Sequence, residues 1–437
     1  MSSEAIHLFL RRAMSGAVLV YGLGAVFAFA SQILLARLMG ALEYGVYYYA
    51  MSWVLILSLL VRFGLDNAAL RLVPAYMQTG DWPAAKGVLR LGNRVVLLNG
   101  LLVGLVVVVV VLLLGGRISP SMRWTFLVAA ACLPIVGLIY MRQAALRSFK
   151  RIARSLLPDA VIAPVLLMVM AACLLLTPIR LTAPMVMGLT LVSLVLAFGV
   201  GGYWLSRLWP PPMQDGEVRF ERKAWLHFAV SMMLINGMHL LLNHVDSLVL
   251  GFFRQPDEVG IYGVASRSAF MVAFPLTMAN AVFVPLIAER LVSGQLDELQ
   301  RILRLGMRPV VAAAFVFAVI LLVFGDFVLG LFGKEFVLGS TALRLLVVGQ
   351  LVNASCGPVG VLLSSSGHQN LVLRVLTLTV AANLLLNFLV IPRWGMEGSA
   401  VVKSLSFMFW NIVLYQQVGK RIALDASGWR CRPSRKE

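Results

Sequence analysis

The segment Glu43-Tyr44-Gly45-Val46-Tyr47 returns as Glu258-Val259-Gly260-Ile261-Tyr262, 215 positions later in a chain of 437 residues. A second segment, Val88-Leu89-Arg90-Leu91-Gly92-Asn93-Arg94, returns as Ile302-Leu303-Arg304-Leu305-Gly306-Met307-Arg308 at an offset of 214, with five of seven positions identical. Gly80 and Gly294 match at that second offset. Two matches in order, at almost one offset near half the chain length, mark an internal duplication.

What is duplicated follows from composition. The chain is 60% hydrophobic and 13% charged, with a mean hydropathy of +0.89. A soluble domain is nearer half apolar and a quarter charged. Soluble globular, disordered and fibrous classes are therefore excluded. A net charge of +18 on a soluble chain would point to nucleic acid. Here the basic residues punctuate long apolar runs, so the membrane is the partner read from them and no nucleic acid is expected.

A helix needs about 20 mostly apolar residues to cross the hydrocarbon core. Twelve stretches free of Asp, Glu, Lys and Arg qualify or nearly so: 13–36, 44–61, 95–116, 124–141, 160–179, 181–206, 224–245, 268–288, 309–325, 345–373, 375–392 and 404–419. The run Val106 to Val111 does not alternate, which argues against transmembrane strands. The repeat offset covers six spans, an even number, so both copies enter the membrane in one orientation. The expected fold is all-α and integral to the membrane: about twelve transmembrane helices in two six-helix lobes related by a parallel internal repeat. The lobes read as residues 1–208 and 224–418. A cytoplasmic linker, 209–223, carries the helix-stopping Trp209-Pro210-Pro211-Pro212, and a basic cytoplasmic tail covers 419–437.

With the N-terminus inside, the inside segments hold 26 Lys and Arg and the outside segments 9. That asymmetry places both termini in the cytoplasm. Trp124, Trp204, Trp209, Trp225 and Trp394 fall at predicted interfaces, where an aromatic belt belongs. The first apolar run follows Arg11 and Arg12 but is too long for a cleavable signal and reads as an anchor. Cys132, Cys173, Cys356 and Cys431 show no metal or disulfide spacing and read as small packing residues.

The loops carry no chemistry. No phosphate-binding Gly-rich loop ending in Gly-Lys-Ser/Thr is present, and no loop is large enough for an acid, base or metal constellation. No enzymatic activity and no cofactor are expected. Residues 66–94 and 287–308 read as amphipathic helices lying at the cytoplasmic surface.

Several segments resemble one family. Leu34-Leu35-Ala36-Arg37-Leu38-Met39-Gly40, Glu43 to Tyr47, Arg62-Phe63-Gly64-Leu65-Asp66 and Arg71 resemble the N-terminal signature of bacterial polysaccharide-export flippases. These belong to the multidrug/oligosaccharidyl-lipid/polysaccharide superfamily. Asp246 to Gly251, Glu258 to Tyr262 and Ile391 to Ala400 are similar to the family's second half. The resemblance covers nearly the whole chain. It implies twelve helices around a V-shaped cavity. The implied activity is transfer of undecaprenyl-diphosphate-linked oligosaccharide from the inner to the outer leaflet of the bacterial cytoplasmic membrane, for polysaccharide biosynthesis. The implied partners are that lipid-linked glycan, anionic membrane lipids, a glycan polymerase and a chain-length regulator. Lys403 departs from the family, which usually has a small or neutral residue there. The superfamily's lipid II flippases usually carry two further helices.

Anionic diphosphate calls for cations within the spans, where an ionisable group is a functional candidate by default. Arg62, Arg267 and Lys403 are the candidates; snorkelling to headgroups is the bland reading of Arg62 and Lys403. Asp246 and Arg267 lie at similar depths and are read as a possible pair. Paired, Arg267 is a strut; unpaired, it is a phosphate ligand. Asn236, His239 and Asn243 form a polar stripe on one helix face, suited to sugar hydroxyls or to interhelical hydrogen bonds. Arg71, Arg90 and Arg304 are candidates at the cytoplasmic mouth, with attraction to anionic lipid as the bland reading. Three other readings remain open: a cation-coupled multidrug exporter, a lipid II flippase, and a non-transporting scaffold of a glycan-assembly complex. The multidrug reading favours acidic cavities, and in-span carboxylates are few: Asp246, Asp66 and Asp159.

Overall fold

The computed structural model describes residues 3–176, 180–214 and 217–428. Residues 429–437 of the expected basic tail, Cys431 among them, lie outside the described residues. So do Asp215 and Gly216 of the linker and the side chains of Arg11, Arg12, Arg222 and Lys223.

Every regular element among the described residues is helical. In chain order they are α1 (Ser3–Arg62), α2 (Leu65–Gln78), α3 (Trp82–Leu114), α4 (Pro120–Ser148), α5 (Ile152–Leu157), α6 (Ala163–Leu174), α7 (Ala183–Leu208), α8 (Pro211–Gln214), α9 (Arg222–Phe253), α10 (Pro256–Val292), α11 (Leu296–Gly330), α12 (Ser340–Cys356), α13 (Val359–Ser365) and α14 (Gln369–Arg421). A π-helical turn, Pro158–Ile162, joins α5 to α6.

Among the described residues, ten helical stretches are long and apolar enough to cross a membrane. Two of them count twice. α14 has 53 residues, roughly 80 Å if straight at ~1.5 Å per residue, against ~30 Å of hydrocarbon. It folds back at Gly395, which is non-helical. Asn383 Nδ2 donates to Ser406 Oγ at 2.8 Å across that bend. α1 folds back at Gly40 in the same way, and Tyr44 donates to Gln32 at 2.9 Å. The result is twelve crossings.

The chain divides into two compact units, the first ending at Gly237 and the second starting at Met238. In the first, α4 is the central helix, packed on α1, α3 and α7. In the second, α10, α11, α12 and α14 pack together around apolar side chains that include Leu299, Leu303, Met307, Leu376 and Leu414.

The duplication survives at backbone resolution. Gly80 and Gly294 have φ of +75° and +71°, a region that favours glycine. The next residues match as well: Asp81 at φ −83°, ψ 67° and Gln295 at φ −82°, ψ 62°. Asp81 N donates to Tyr76 O at 2.8 Å and Gln295 N to Arg290 O at 3.0 Å. One turn is thus built twice, 214 positions apart.

Those turns correct one expectation. Residues 66–94 and 287–308 are not single surface helices. Each is interrupted at its glycine, and the part beyond it is the first turns of a spanning helix, α3 or α11. Only α2 stands apart, because Phe63 and Gly64, both at positive φ, separate it from α1. A second correction concerns 345–373. α12 ends at Cys356, Gly357 turns the chain at φ +76°, and α14 begins only at Gln369. Pro358 cannot donate the bond that would continue α12. Arg374, which separates the apolar stretches 345–373 and 375–392, therefore lies within α14.

Candidate functional site

The recurring Glu-x-Gly-x-Tyr segments have the same task in both units. Glu43 Oε2 accepts from Ala183 N at 2.6 Å, the first residue of α7, and from Ser121 Oγ at 2.8 Å. Glu258 Oε1 accepts from Met396 N at 2.6 Å, just past the bend in α14. A carboxylate on the free N–H groups of a helix start satisfies orphan donors and suits the helix dipole. These two caps fix the register of the sixth span of each unit: Ala183 and Met396 correspond, at an offset of 213.

In that register the tyrosines diverge. In the first unit Tyr47 shares a hydrogen bond with Thr190 at 3.2 Å. Ser31, buried on α1, donates to Ala28 O at 2.8 Å. The corresponding residues of the second unit are Tyr262, Lys403 and Asp246. Lys403 Nζ donates to Asp246 Oδ2 at 2.8 Å, Asn243 O at 3.0 Å and Ser266 Oγ at 3.0 Å. All three ammonium protons are used. The Tyr262 hydroxyl donates to the same carboxylate oxygen. The side chains of Lys403 and Asp246 are 4% and 1% exposed. Asp246 Oδ1 has no hydrogen-bond partner among the described residues. The first unit thus uses three neutral groups where the second holds a buried ion pair.

This corrects the reading of Asp246 and Arg267 as a pair. Asp246 belongs to Lys403, 157 positions away, and Lys403 does not snorkel. Arg267 is exposed on α10, with no ion pair or hydrogen bond found among the described residues. His244 is half-buried within electrostatic reach of Lys403, Asp246 and Arg267.

Asp66 and Asp159 are also paired. Arg62 Nη1 meets Asp66 Oδ2 at 2.9 Å, its Nε donates to Ser58 O at 3.1 Å, and its guanidinium lies 3.9 Å from the Tyr140 ring centroid. Arg142 pairs with Asp159 while donating to Ala197 O at 2.8 Å and Phe198 O at 3.1 Å. The second pair was not readable from sequence. Asp159 stands out as an in-span carboxylate, but nothing local marks Arg142 as its partner.

The polar stripe is partly self-satisfied. Asn236 and Asn243 are exposed and donate back to Met232 O at 3.1 Å and His239 O at 2.7 Å. His239 packs edge-on to Trp410, ring centroids 5.2 Å apart. Arg71 and Arg90 are exposed, and Arg304 is half-buried against the chain at Gly428. Outside the spans, the segment after α8 is strapped to α2 and α3. Arg219 N donates to Pro83 O at 3.2 Å, Tyr76 donates to Glu221 at 3.0 Å, and Trp225 Nε1 donates to Tyr76 at 3.1 Å. Burial raises the Tyr76 pKa above its usual value, against the opposing bond from Trp225.

The profile of the family described as "Polysaccharide biosynthesis protein" matches residues 11–290. The chain belongs to the polysaccharide biosynthesis protein family. The second half of this polysaccharide biosynthesis protein also matches the MatE profile, over residues 228–389. Two curated relatives come from Haloferax volcanii. "Probable flippase AglR" is 28% identical over 193 residues, 43% of this chain and 40% of the relative. "Probable low-salt glycan biosynthesis flippase Agl15" is 27% identical over 173 residues, 39% of this chain and 36% of the relative. The match thus spans two-fifths or less of those relatives. Among solved structures, an inward-facing multidrug resistance MATE family transporter superposes with a TM-score of 0.72 at 15% identity, covering 91% of this chain and 94% of that one. The lipid II flippase MurJ, in an inward closed conformation, gives 0.66 at 13% identity, covering 92% and 87%. This polysaccharide biosynthesis protein is therefore a multi-pass membrane protein with the transporter fold of the multidrug/oligosaccharidyl-lipid/polysaccharide superfamily.

Proposed function

We propose that the protein is a flippase. It moves undecaprenyl-diphosphate-linked oligosaccharide from the cytoplasmic to the outer leaflet of a bacterial cytoplasmic membrane, by alternating access of two lobes. The observation that carries the reading is the family match over residues 11–290. The names of the two curated relatives, both described as probable flippases, support it.

The electrostatics fit an anionic cargo. Asp159 and Asp246 in spanning helices, and Asp66 in α2, are each matched to a base, which weakens their attraction for a cationic drug. Arg267 is the exposed cation in this proposal, with a guanidinium fork suited to phosphate oxygens. Asn236, His239 and Asn243 offer groups to sugar hydroxyls, while Arg71, Arg90 and Arg304 gather the anionic head at the cytoplasmic side. Arg62, Asp246 and Lys403 hold helices in place around the path. The lobes 1–208 and 224–418, the linker and the inward-facing termini are part of the same proposal. A glycan polymerase and a chain-length regulator would act on the product.

Reconstituted flipping of a fluorescent polyprenyl-diphosphate-linked glycan tests it. Protein-dependent transfer across vesicles is expected; cationic-dye efflux without glycan transfer would instead identify a drug exporter, and neither activity a scaffold.

A further inference from the structure

The first unit carries a groove within its own helices. It is a cavity of about 260 Å³ between α3, α4 and α7. Its deeper walls are apolar, formed by Leu97, Leu138, Phe198 and Leu205, and Asn93 and Arg94 stand at its rim. Arg94 immediately precedes the apolar run of α3, and Trp209 follows the last residue of α7. Both mark the level where headgroups meet hydrocarbon. Phe198 lies three turns further along α7 from Trp209, so the groove runs from headgroup level into the acyl region.

Two adjacent glycines show why the groove exists. Glycine weakens a helix interior, so each calls for a reason. At Gly201 a Cβ would sit 2.5 Å from the Arg142 guanidinium, which packs flat on the backbone there. At Gly202 nothing lies within 4 Å of a Cβ, and Gly202 lines the groove. In the register set by the Glu43 and Glu258 caps, the counterpart of Gly202 is Tyr415, whose hydroxyl donates to Asp425 at 2.8 Å. The counterpart of Asn93 is Met307, which is fully buried. At the position of Gly202 the second copy thus carries a large side chain that the first copy lacks.

The chemistry selects an occupant. Arg94 is exposed and has no ion pair or hydrogen bond among the described residues. Arg142 borders the groove with its Nε buried and unpartnered, while its charge is matched by Asp159. The groove therefore presents one uncompensated positive charge above an apolar slot. A phosphodiester carries one negative charge and an acyl chain below it. A diphosphate carries more charge than this rim matches. We propose that the groove binds an anionic membrane phospholipid from the leaflet at the basic ends of the spans. Its chain lies in the slot beside Gly202 and its phosphate at Arg94.

The test reads bound lipid, so it does not depend on transport. Purified, delipidated full-length protein is mixed with detergent micelles containing phosphatidylglycerol or phosphatidylcholine, and retained lipid is counted by native mass spectrometry. The wild type is expected to retain phosphatidylglycerol preferentially. Gly202→Leu, which has room for its side chain, is expected to lower retention about tenfold or more by occupying the slot. Gly199→Leu, on the same helix with nothing within 4 Å of its Cβ and outside the groove, is expected to behave as wild type. Arg94→Gln is expected to bind phosphatidylglycerol roughly fivefold more weakly and lose the preference. Equal retention by the two leucine variants, no preference in the wild type, or tighter binding of a polyprenyl diphosphate added in competition would each overturn the proposal.

Discussion

Neutralising Lys403 should damage the fold more than neutralising Lys403 and Asp246 together. The pair lies inside the second unit with side chains 4% and 1% exposed. Lys403→Met leaves the Asp246 carboxylate with only Tyr262 as a donor, since its Oδ1 is already unpartnered. Removing one partner of a buried pair costs about 3–5 kcal/mol, because the survivor keeps its desolvation penalty. For a unit of this size that is roughly 10 °C in melting midpoint. Asp246→Asn strands less, because the ammonium keeps Asn243 O and Ser266 Oγ; about 2–3 kcal/mol is expected. The double variant Asp246→Asn/Lys403→Met has near-native volume and no buried charge. Neutral replacement of a buried pair ranges from no effect to about 1–4 kcal/mol of stabilisation. The first unit already shows the neutral solution, with Ser31, Tyr47 and Thr190 at the corresponding places. Thermal unfolding of the detergent-purified variants, followed by tryptophan fluorescence, gives the cycle. The expected coupling is about 3 kcal/mol or more. A double variant destabilised by the sum of the two singles would show that the charges do not depend on each other, and would refute the reasoning.

Other outcomes follow from the same geometry. Glu43→Gln and Glu258→Gln should each lower stability by about 1 kcal/mol, because each weakens a charge-assisted helix cap; melting midpoints check this, and an unchanged midpoint in both would contradict the capping role. Gly201→Val forces the Arg142 guanidinium off the backbone and away from Asp159. A loss of about 3 kcal/mol or more is expected in denaturant unfolding, with Gly202→Val nearly neutral beside it. In reconstituted flipping, Arg267→Gln should reduce initial rate at least about fivefold, whereas Arg90→Gln changes it by less than about twofold. Equal losses in the two variants would remove the argument for an in-span phosphate ligand. Gly294→Val should cost about 1 kcal/mol or more, since a β-branched residue resists the positive φ of the duplicated turn.

The amino-acid sequence by itself determines the all-α membrane class, the twelve crossings and the duplication. Each is a local property. Hydropathy is summed over neighbours along the chain, and the Glu43 and Glu258 segments carry their likeness on their face. Candidate residues were legible to the same extent: a charge inside an apolar run, such as Asp246, Arg267 or Lys403, identifies itself. Which charge meets which was not legible. Asp246 and Arg267 are close along one hairpin and suggest a pair, yet Lys403 arrives from 157 positions away. Only the packing of α14 against α9 and α10 brings it there. The same holds for Arg142 and Asp159, and for Glu43 and Glu258, whose role as helix caps depends on where the sixth span of each unit begins. The break after Cys356 is invisible to hydropathy, which does not register a change of direction between two equally apolar segments. Tertiary structure alone decides that the two copies of one scaffold differ: a charged pair against three neutral groups, and an open slot at Gly202 against a large side chain at Tyr415. Those differences lie in contacts between helices, and spacing along the chain does not encode them.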